Sequence, residues 1–186
     1  VGDIFEITLI NNGTMGHSID FHAGDISPDD VMKTIEPGES LTYEFTANRS
    51  GIWLYHCSTS PMSVHIANGM YGAVIIDPPD LAPVDEEYVM IQGEQYWSDD
   101  LEEGTDASAV AYGIPSALTF NGYPFQYDHA PLTVQAGDRV RIWVLDAGPN
   151  LPLSFHVVGT QCDTVWSEGT SSLQARQPAV GPGAAA

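Results

Sequence analysis

The stretch Tyr55-His56-Cys57-Ser58 ends a strand-like run, with His65 eight residues after Cys57 and Met70 five residues later. A thiolate, an imidazole and a thioether this close together are soft ligands that favour copper, and two histidines, a cysteine and a weak axial methionine form a blue-copper electron-transfer site. The second imidazole should then lie upstream. His17, which follows another strand-like run over residues 4–10, is the expected source.

The composition limits the classes of function. The chain has 186 residues, with 25 Asp and Glu against five Lys and Arg, so its formal net charge is −20. This charge argues against a nucleic acid or an anionic membrane surface as partner, and it favours a basic protein partner or a high-salt habitat. No apolar run reaches membrane-spanning length. The second cysteine, Cys162, lies too far from Cys57 to suggest a disulfide framework, and we expect it to be a free, partly buried thiol.

Short runs of alternating apolar and polar residues, separated by Gly, Pro and Asn turns, predict an all-β protein built from sandwich domains. Residues 78–83 read Pro-Pro-Asp-Leu-Ala-Pro, a stiff, extended break after which Tyr88 begins a new strand. We therefore predict a first domain at 1–77, a linker at 78–87 and a second domain at 88–186.

The two predicted domains repeat one another. Val1-Gly2-Asp3, a strand and Phe21-His22 are echoed by Ala136-Gly137-Asp138, a strand and Phe155-His156. The first copy continues to a strand ending at His56, whereas the second reaches residue 186 without an equivalent strand. We expect the chain to be a fragment cut at both ends, with both domains incomplete.

The parity of spacing along strands sorts the candidate ligands, because successive side chains point to opposite faces. Cys57 and His56 are adjacent and must diverge, and His17 and His22 are an odd five residues apart. Asp20 and His22 are two apart and share a face. We therefore predict two groups: an inner one at His17, Cys57, His65 and Met70, and an outer one at His22 and His56 with Asp20 beside them.

These motifs resemble the copper-containing nitrite reductases over nearly the whole chain. The matching stretches are His17-Ser-Ile-Asp-Phe-His22, Tyr55-His-Cys57, His65-Ile-Ala-Asn-Gly-Met-Tyr-Gly72 and Phe155-His-Val-Val-Gly159. The resemblance implies two tandem cupredoxin-like Greek-key β-sandwich domains. It also implies a type 1 copper at the inner group and a type 2 copper at His22 and His56.

The resemblance further implies the reaction, which is reduction of nitrite to nitric oxide. An electron would pass from the type 1 copper through Cys57 and His56 to the type 2 copper, and Asp20 would supply a proton, with His156 sustaining the proton network. A third type 2 histidine would come from an adjacent subunit of a homotrimer. The family also implies a cupredoxin or cytochrome c as electron donor and a periplasmic, extracytoplasmic or secreted location.

Two other functions stay open at this point. A two-domain multicopper oxidase of the laccase type would share the fold, but its three-copper cluster needs His-x-His pairs and a His-Cys-His run, and here Ser58 follows Cys57 and no His-x-His occurs. A simple cupredoxin electron carrier would need only the inner group and would leave Asp20, His22 and His56 without a purpose.

Overall fold

The fold is that of a computed structural model, which describes residues 1–24, 33–100, 104–160 and 162–166, together with the backbone of 179–180. The last residues of the predicted second domain, 181–186, lie outside the described part. The strands are β1 Ile4–Ile10, β2 Asp20–Phe21, β3 Ser40–Thr46, β4 Gly51–His56, β5 Tyr71–Ile76, β6 Glu86–Gln95, β7 Ala117–Phe120, β8 Val140–Asp146, β9 Leu153–Ser154 and β10 Ala179–Val180. The helices, all short, are α1 Met62–Ala67, α2 Ala107–Tyr112 and α3 Gln126–His129.

The first half of the chain forms two small antiparallel sheets that face each other. One is β1 paired with β3, and the other has the order β2-β4-β5. Strand β1 alternates exposed and half-buried residues along its length, which is the pattern of a strand with one face on a core. The core between the sheets combines aromatic and aliphatic side chains, and its aromatic members Phe21, Tyr43 and Phe45 are all at most 5% exposed.

The second half is organised around strand β6, which pairs antiparallel with β7 and parallel with β8. Strand β8 is buried on both faces, because Val144 packs with Leu153 on one side while Trp143 and Leu145 pack on the other. The pairing of β6 begins at Glu86, two residues before the strand predicted from the sequence, because the parallel register with β8 starts there.

The two halves pack against each other through the back of the β2-β4-β5 sheet. Ile52 and Leu54 of β4 join Trp143, Leu145 and Ala147 in one buried cluster. The alternate residues of β4, Trp53 and Tyr55, pack on the core of the first half instead. Strand β4 is therefore covered on both faces. Because side chains alternate along a strand, His56 lies on the same face as Leu54, and the next residue, Cys57, lies on the opposite face.

Two glycines show that the sequence repeat is also a structural one. Gly2 and Gly137, which occupy equivalent places before β1 and β8, have φ values of 94° and 104°. This backbone region costs glycine little and other residues more, so the same turn introduces the equivalent strand in each half.

Two acidic groups are buried in the second half. Asp146 is fully buried, and its carboxylate accepts hydrogen bonds from the backbone N–H groups of Gly148 and Leu153. Burial raises the pKa of Asp146 to about 6, although these two hydrogen bonds oppose the shift. Glu94, 1% exposed, accepts hydrogen bonds from two backbone N–H groups and from the Tyr96 hydroxyl.

The prediction of an all-β protein is confirmed, since strands dominate the described residues and each helix found among them spans six residues or fewer. Helix α1 was not predicted, and it lies between Cys57 and Met70. The expectation that Cys162 is partly buried was wrong: the thiol is exposed, because it lies in irregular chain after β9 rather than in a packed strand. In the described part of the chain, no helix has the length and hydropathy that a membrane crossing requires.

Candidate metal centres

The first group of candidate ligands consists of His17, Cys57 and His65. The Cys57 Sγ atom lies 3.4 Å from His65 Nδ1 and 3.9 Å from His17 Nδ1. The two imidazole rings meet edge to face, with centroids 5.2 Å apart. Cys57 and His65 are buried and His17 is half-buried, and the three ligand atoms all lie within 4.8 Å of one another.

These distances fit a first-row transition metal. Bonds of about 2.3 Å to sulfur and about 2.0–2.1 Å to nitrogen, at angles between tetrahedral and trigonal, place sulfur and nitrogen about 3.6–3.8 Å apart. The two observed distances lie on either side of that range. One thiolate with two imidazoles suits copper, and it is the ligand set of a blue-copper site.

Backbone hydrogen bonds hold each ligand of the first group in place. His17 exchanges both of its backbone hydrogen bonds with Ile35, at 3.1 and 2.8 Å. The Cys57 N–H donates to the Met70 carbonyl at 3.0 Å, and the Met70 N–H donates to the carbonyl of His65 at 3.2 Å. The backbone of Met70 therefore joins the two other ligand segments, which puts this residue beside the group, as the sequence pattern predicts for an axial ligand.

The ionisation of His65 also suits a ligand. Burial, and next the nearby His17, lower the pKa of His65 below its usual value. Because only a neutral imidazole binds a metal, a lowered pKa reduces competition from protons.

The second group consists of Asp20, His22 and His56. The Nε2 atoms of His22 and His56 are 3.2 Å apart, and the rings are nearly perpendicular. Two nitrogens bound to one metal at about 2.05 Å and near-tetrahedral angles would be about 3.3 Å apart, so this spacing also fits an ion. His56 is buried, Asp20 is half-buried and His22 is exposed, which leaves one side of the group open.

A hydrogen bond fixes the orientation of His56. Its Nδ1 lies 3.0 Å from the carbonyl oxygen of Cys57, so Nδ1 carries the proton and donates it. Nε2 is then the nitrogen with a free lone pair, and it points toward His22. A metal-binding histidine usually has its second ring nitrogen held in this way, which sets the tautomer and the ring orientation.

Strand β2 and the residue that follows it bring Asp20 and His22 to the group. Asp20 is paired with His56 in the β2–β4 ladder, and the backbone N–H of His22 donates a hydrogen bond to the backbone carbonyl of Leu54. Desolvation of its ring lowers the pKa of His22, Asp20 opposes this shift and His56 adds to it. The neutral, metal-binding form of His22 is therefore favoured.

The structure brings the ligand atoms of His17, Cys57 and His65 together in one group and those of Asp20, His22 and His56 in the other, and the peptide bond between His56 and Cys57 joins the groups. Whether they bind copper remains a prediction. His156 is exposed and lies in neither group of described residues.

Sequence reasoning missed several hydroxyl residues beside the first group. Their one sequence signal is position, since Ser18 directly follows His17 and Ser58-Thr59 directly follow Cys57, but this signal does not reveal that Ser18 is buried or that the hydroxyls meet.

Comparison with known proteins agrees with this geometry. Residues 1–81 match the sequence profile of the multicopper oxidases. The chain is 37% identical over 179 residues to the copper-containing nitrite reductase of Neisseria meningitidis serogroup B, covering 90% of this chain and 45% of that relative. The chain thus spans about half the length of such relatives.

Solved structures of copper nitrite reductases are also similar to this chain. The copper nitrite reductase of Nitrosomonas europaea superposes with a TM-score of 0.87 at 37% identity, covering 99% of this chain and 68% of that one. The copper-containing nitrite reductase of Thermus scotoductus gives a TM-score of 0.89 at 27% identity, covering 99% of this chain and 44% of that one. With its sequence motifs, its paired ligand groups and these similarities in agreement, the chain belongs to the copper nitrite reductase family.

Proposed function

We propose that this chain takes part in the one-electron reduction of nitrite to nitric oxide. Nitrite takes up one electron and two protons, one N–O bond breaks, and nitric oxide and water are released. The observation that carries the proposal is the adjacency of Cys57 and His56, each of which lies in a different group of candidate ligands. An electron carrier needs only one such group, whereas a reductase must connect an electron-accepting site to a substrate site.

The proposed ligands are His17, Cys57, His65 and Met70 for one copper, and His22 and His56 for a second. Copper would supply a one-electron redox centre at the first group and a Lewis acid that binds nitrite at the second. The peptide bond between Cys57 and His56, with the hydrogen bond from His56 Nδ1 to the Cys57 carbonyl, provides a short connection between the groups.

Asp20 is the proposed proton donor. Its half-buried carboxylate lies within 4.8 Å of the candidate ligand nitrogens of His22 and His56. A carboxyl in that position can hold a proton next to a bound oxygen atom and transfer it as the N–O bond breaks. The strongly acidic surface repels nitrite at long range, so the bound ion must supply the local attraction.

The second group has two histidines, and we propose that another copy of the protein completes it. The exposed His22 leaves room for a third ligand, and His156 is exposed on the second half. A homotrimer, in which the second half of one copy faces Asp20 of the next, would bring a third histidine and His156 to the site. We propose a small cupredoxin or cytochrome c as the electron donor.

The test is to measure copper per subunit together with nitrite-dependent nitric oxide, in the protein and in Asp20→Asn. The variant should turn over at least about tenfold more slowly, since a general acid typically contributes 10²–10⁴-fold. Its visible thiolate-to-copper absorption should not change. Asp128→Asn, an exposed aspartate in α3, is the matched control and should behave like the unmodified protein.

Three results would contradict the proposal. Two coppers per subunit without nitric oxide would exclude nitrite reduction, and oxygen uptake with a phenolic substrate would favour a laccase-type oxidase. A single copper per subunit would instead favour the electron carrier.

A further inference from the structure

Four hydroxyl side chains form a connected hydroxyl cluster next to the first ligand group: Ser18, Thr34, Ser58 and Thr59. The Ser18 Oγ atom lies 2.9 Å from both the Ser58 hydroxyl and the Thr59 hydroxyl. It also accepts the backbone N–H of Ser58 at 3.2 Å. The Thr59 hydroxyl lies 2.9 Å from that of Thr34, and Ser18 is only 1% exposed.

The cluster joins the chain segments that carry two of the candidate ligands. Ser18 follows His17 directly, and Ser58 follows Cys57 directly. On its outer side, Thr34 precedes Ile35, which holds the backbone of His17 through two hydrogen bonds. Three separate segments of chain therefore meet at the hydroxyl cluster, and each is within one residue of His17, Cys57 or the backbone partner of His17.

The hydroxyl cluster also connects β2 and β4 beyond the point where their backbone pairing ends. The β2–β4 ladder pairs Phe21 with Tyr55 and Asp20 with His56, and it ends there. The same register, continued by two residues, would place Ser18 opposite Ser58. At that point the Ser18 hydroxyl oxygen, rather than a backbone carbonyl, accepts the Ser58 N–H. A side chain thus replaces the ladder between the two ligand-bearing segments.

We propose that Ser18 is a positioning residue that fixes the separation between His17 and Cys57 in the first group. The proposal rests on the assignment of these two residues as copper ligands. Buried hydroxyls with several partners have one preferred arrangement, because each lost hydrogen bond would leave a polar atom unpaired away from water. Ser18 therefore sets where the His17 imidazole can lie relative to the Cys57 sulfur, without itself contacting the metal.

The direct test is a titration of the copper-free protein with copper(II), followed by the visible absorption that a thiolate–copper(II) bond produces. Ser18→Ala should weaken copper binding at the first group about 10–100-fold, the usual effect of removing a residue that orients a metal ligand. It should also shift the absorption band. Thr34→Val, at the far end of the hydroxyl cluster, should leave affinity and band unchanged, since the Ser18–Ser58 link stays intact.

A second comparison separates positioning from loss of stability. Leu145→Ala removes a fully buried side chain from the cluster that joins the two halves, which contains none of the four hydroxyl residues, and should destabilise the chain without moving the absorption band. If Ser18→Ala does not fold, the double variant Ser58→Ala with Thr59→Val removes both hydroxyl partners of Ser18. This double variant keeps the hydrogen bond from the Ser58 N–H to Ser18, so it should shift the band in the same direction but by less than Ser18→Ala.

The outcomes distinguish the two proposals. If the unmodified protein shows no thiolate–copper absorption, the proposed function fails at its first step. If that absorption is present and Ser18→Ala, or the double variant in its place, keeps both the band and the affinity, the role of Ser18 is refuted while the proposed function stands. A band shift of the same size in Leu145→Ala would also refute the positioning role.

Discussion

The buried carboxyl of Asp146 should make the chain less stable as the pH rises. Burial raises its pKa in the folded state from 3.8 to about 6, so the folded chain holds this proton more tightly than the unfolded chain does. The free energy of unfolding contributed by this group is fully present below pH 3.8 and is lost as the pH rises through about 6. A difference of about 2.2 pK units corresponds to about 3 kcal/mol in total, and about 2 kcal/mol of it falls between pH 4.5 and pH 8.

The informative substitution is Asp146→Asn, which cannot ionise. Its amide oxygen can still accept the Leu153 N–H, and its NH₂ group has a candidate acceptor nearby. Gln92 lies opposite Asp146 in the β6–β8 register, and its Oε1 is a buried side-chain atom without a hydrogen-bond partner among the described residues. We therefore expect the stability of the variant, measured relative to the unmodified chain, to rise by about 2 kcal/mol between pH 4.5 and pH 8.

The assay is urea unfolding followed by tryptophan fluorescence at several pH values, with a chelator present so that metal binding does not contribute. Asp106→Asn is the matched control. Asp106 is a half-buried helix N-cap whose pKa is lowered by hydrogen bonds from Ala109 and Ser108, so replacing it should bring no gain as the pH rises. A stability difference between Asp146→Asn and the unmodified chain that stays constant with pH would show that Asp146 is ionised in the folded chain.

Three further predictions concern packing and metal. Leu145→Ala should lower the free energy of unfolding by about 2–5 kcal/mol in urea titrations, whereas Leu118→Ala, at a side chain that is 55% exposed, should cost less than about 1 kcal/mol. Gly72→Ala should cost about 1–3 kcal/mol, because the new Cβ would lie 2.7 Å from Cε1 of Tyr55, and a double-mutant cycle with Tyr55→Leu should show that the two changes are not additive. Copper at about 100 times its dissociation constant should stabilise the chain by about 2.7 kcal/mol in thermal unfolding, and Cys57→Ser should lose the part of this gain that comes from the first group.

The grouping of the candidate ligands was predictable because it depends on covalent geometry. Neighbouring side chains on a strand point to opposite faces whatever the tertiary packing, so His56 and Cys57 had to separate. Asp20 and His22 had to share a face for the same reason. The strand class was equally accessible, since alternation over β1 directly reflects a strand with one buried face.

Features that depend on long-range packing were not accessible from the sequence. Helix α1 has six residues, too few for a clear helical periodicity. Its N-cap residue, Pro61, makes no side-chain capping hydrogen bond. The burial of both faces of β4 depends on Trp143 and Leu145, about 90 residues further along the chain, which no local pattern reveals. The hydroxyl cluster was overlooked because serine and threonine are common in exposed turns, and only the structure shows that Ser18 is buried.

The segment formed by β4 and Cys57 supplies one residue to each ligand group, and this has a consequence for the order in which metal is loaded. An ion held at either group would restrict the backbone and the rotamers of this shared segment. The conformational entropy lost in the first binding event would not be lost again in the second, so binding at the two sites should be cooperative even if the average structure does not change. Thermodynamic linkage requires the same enhancement factor whichever site is filled first. At limiting metal, chains that hold two ions should therefore be more frequent than two independent sites of the same affinities would give.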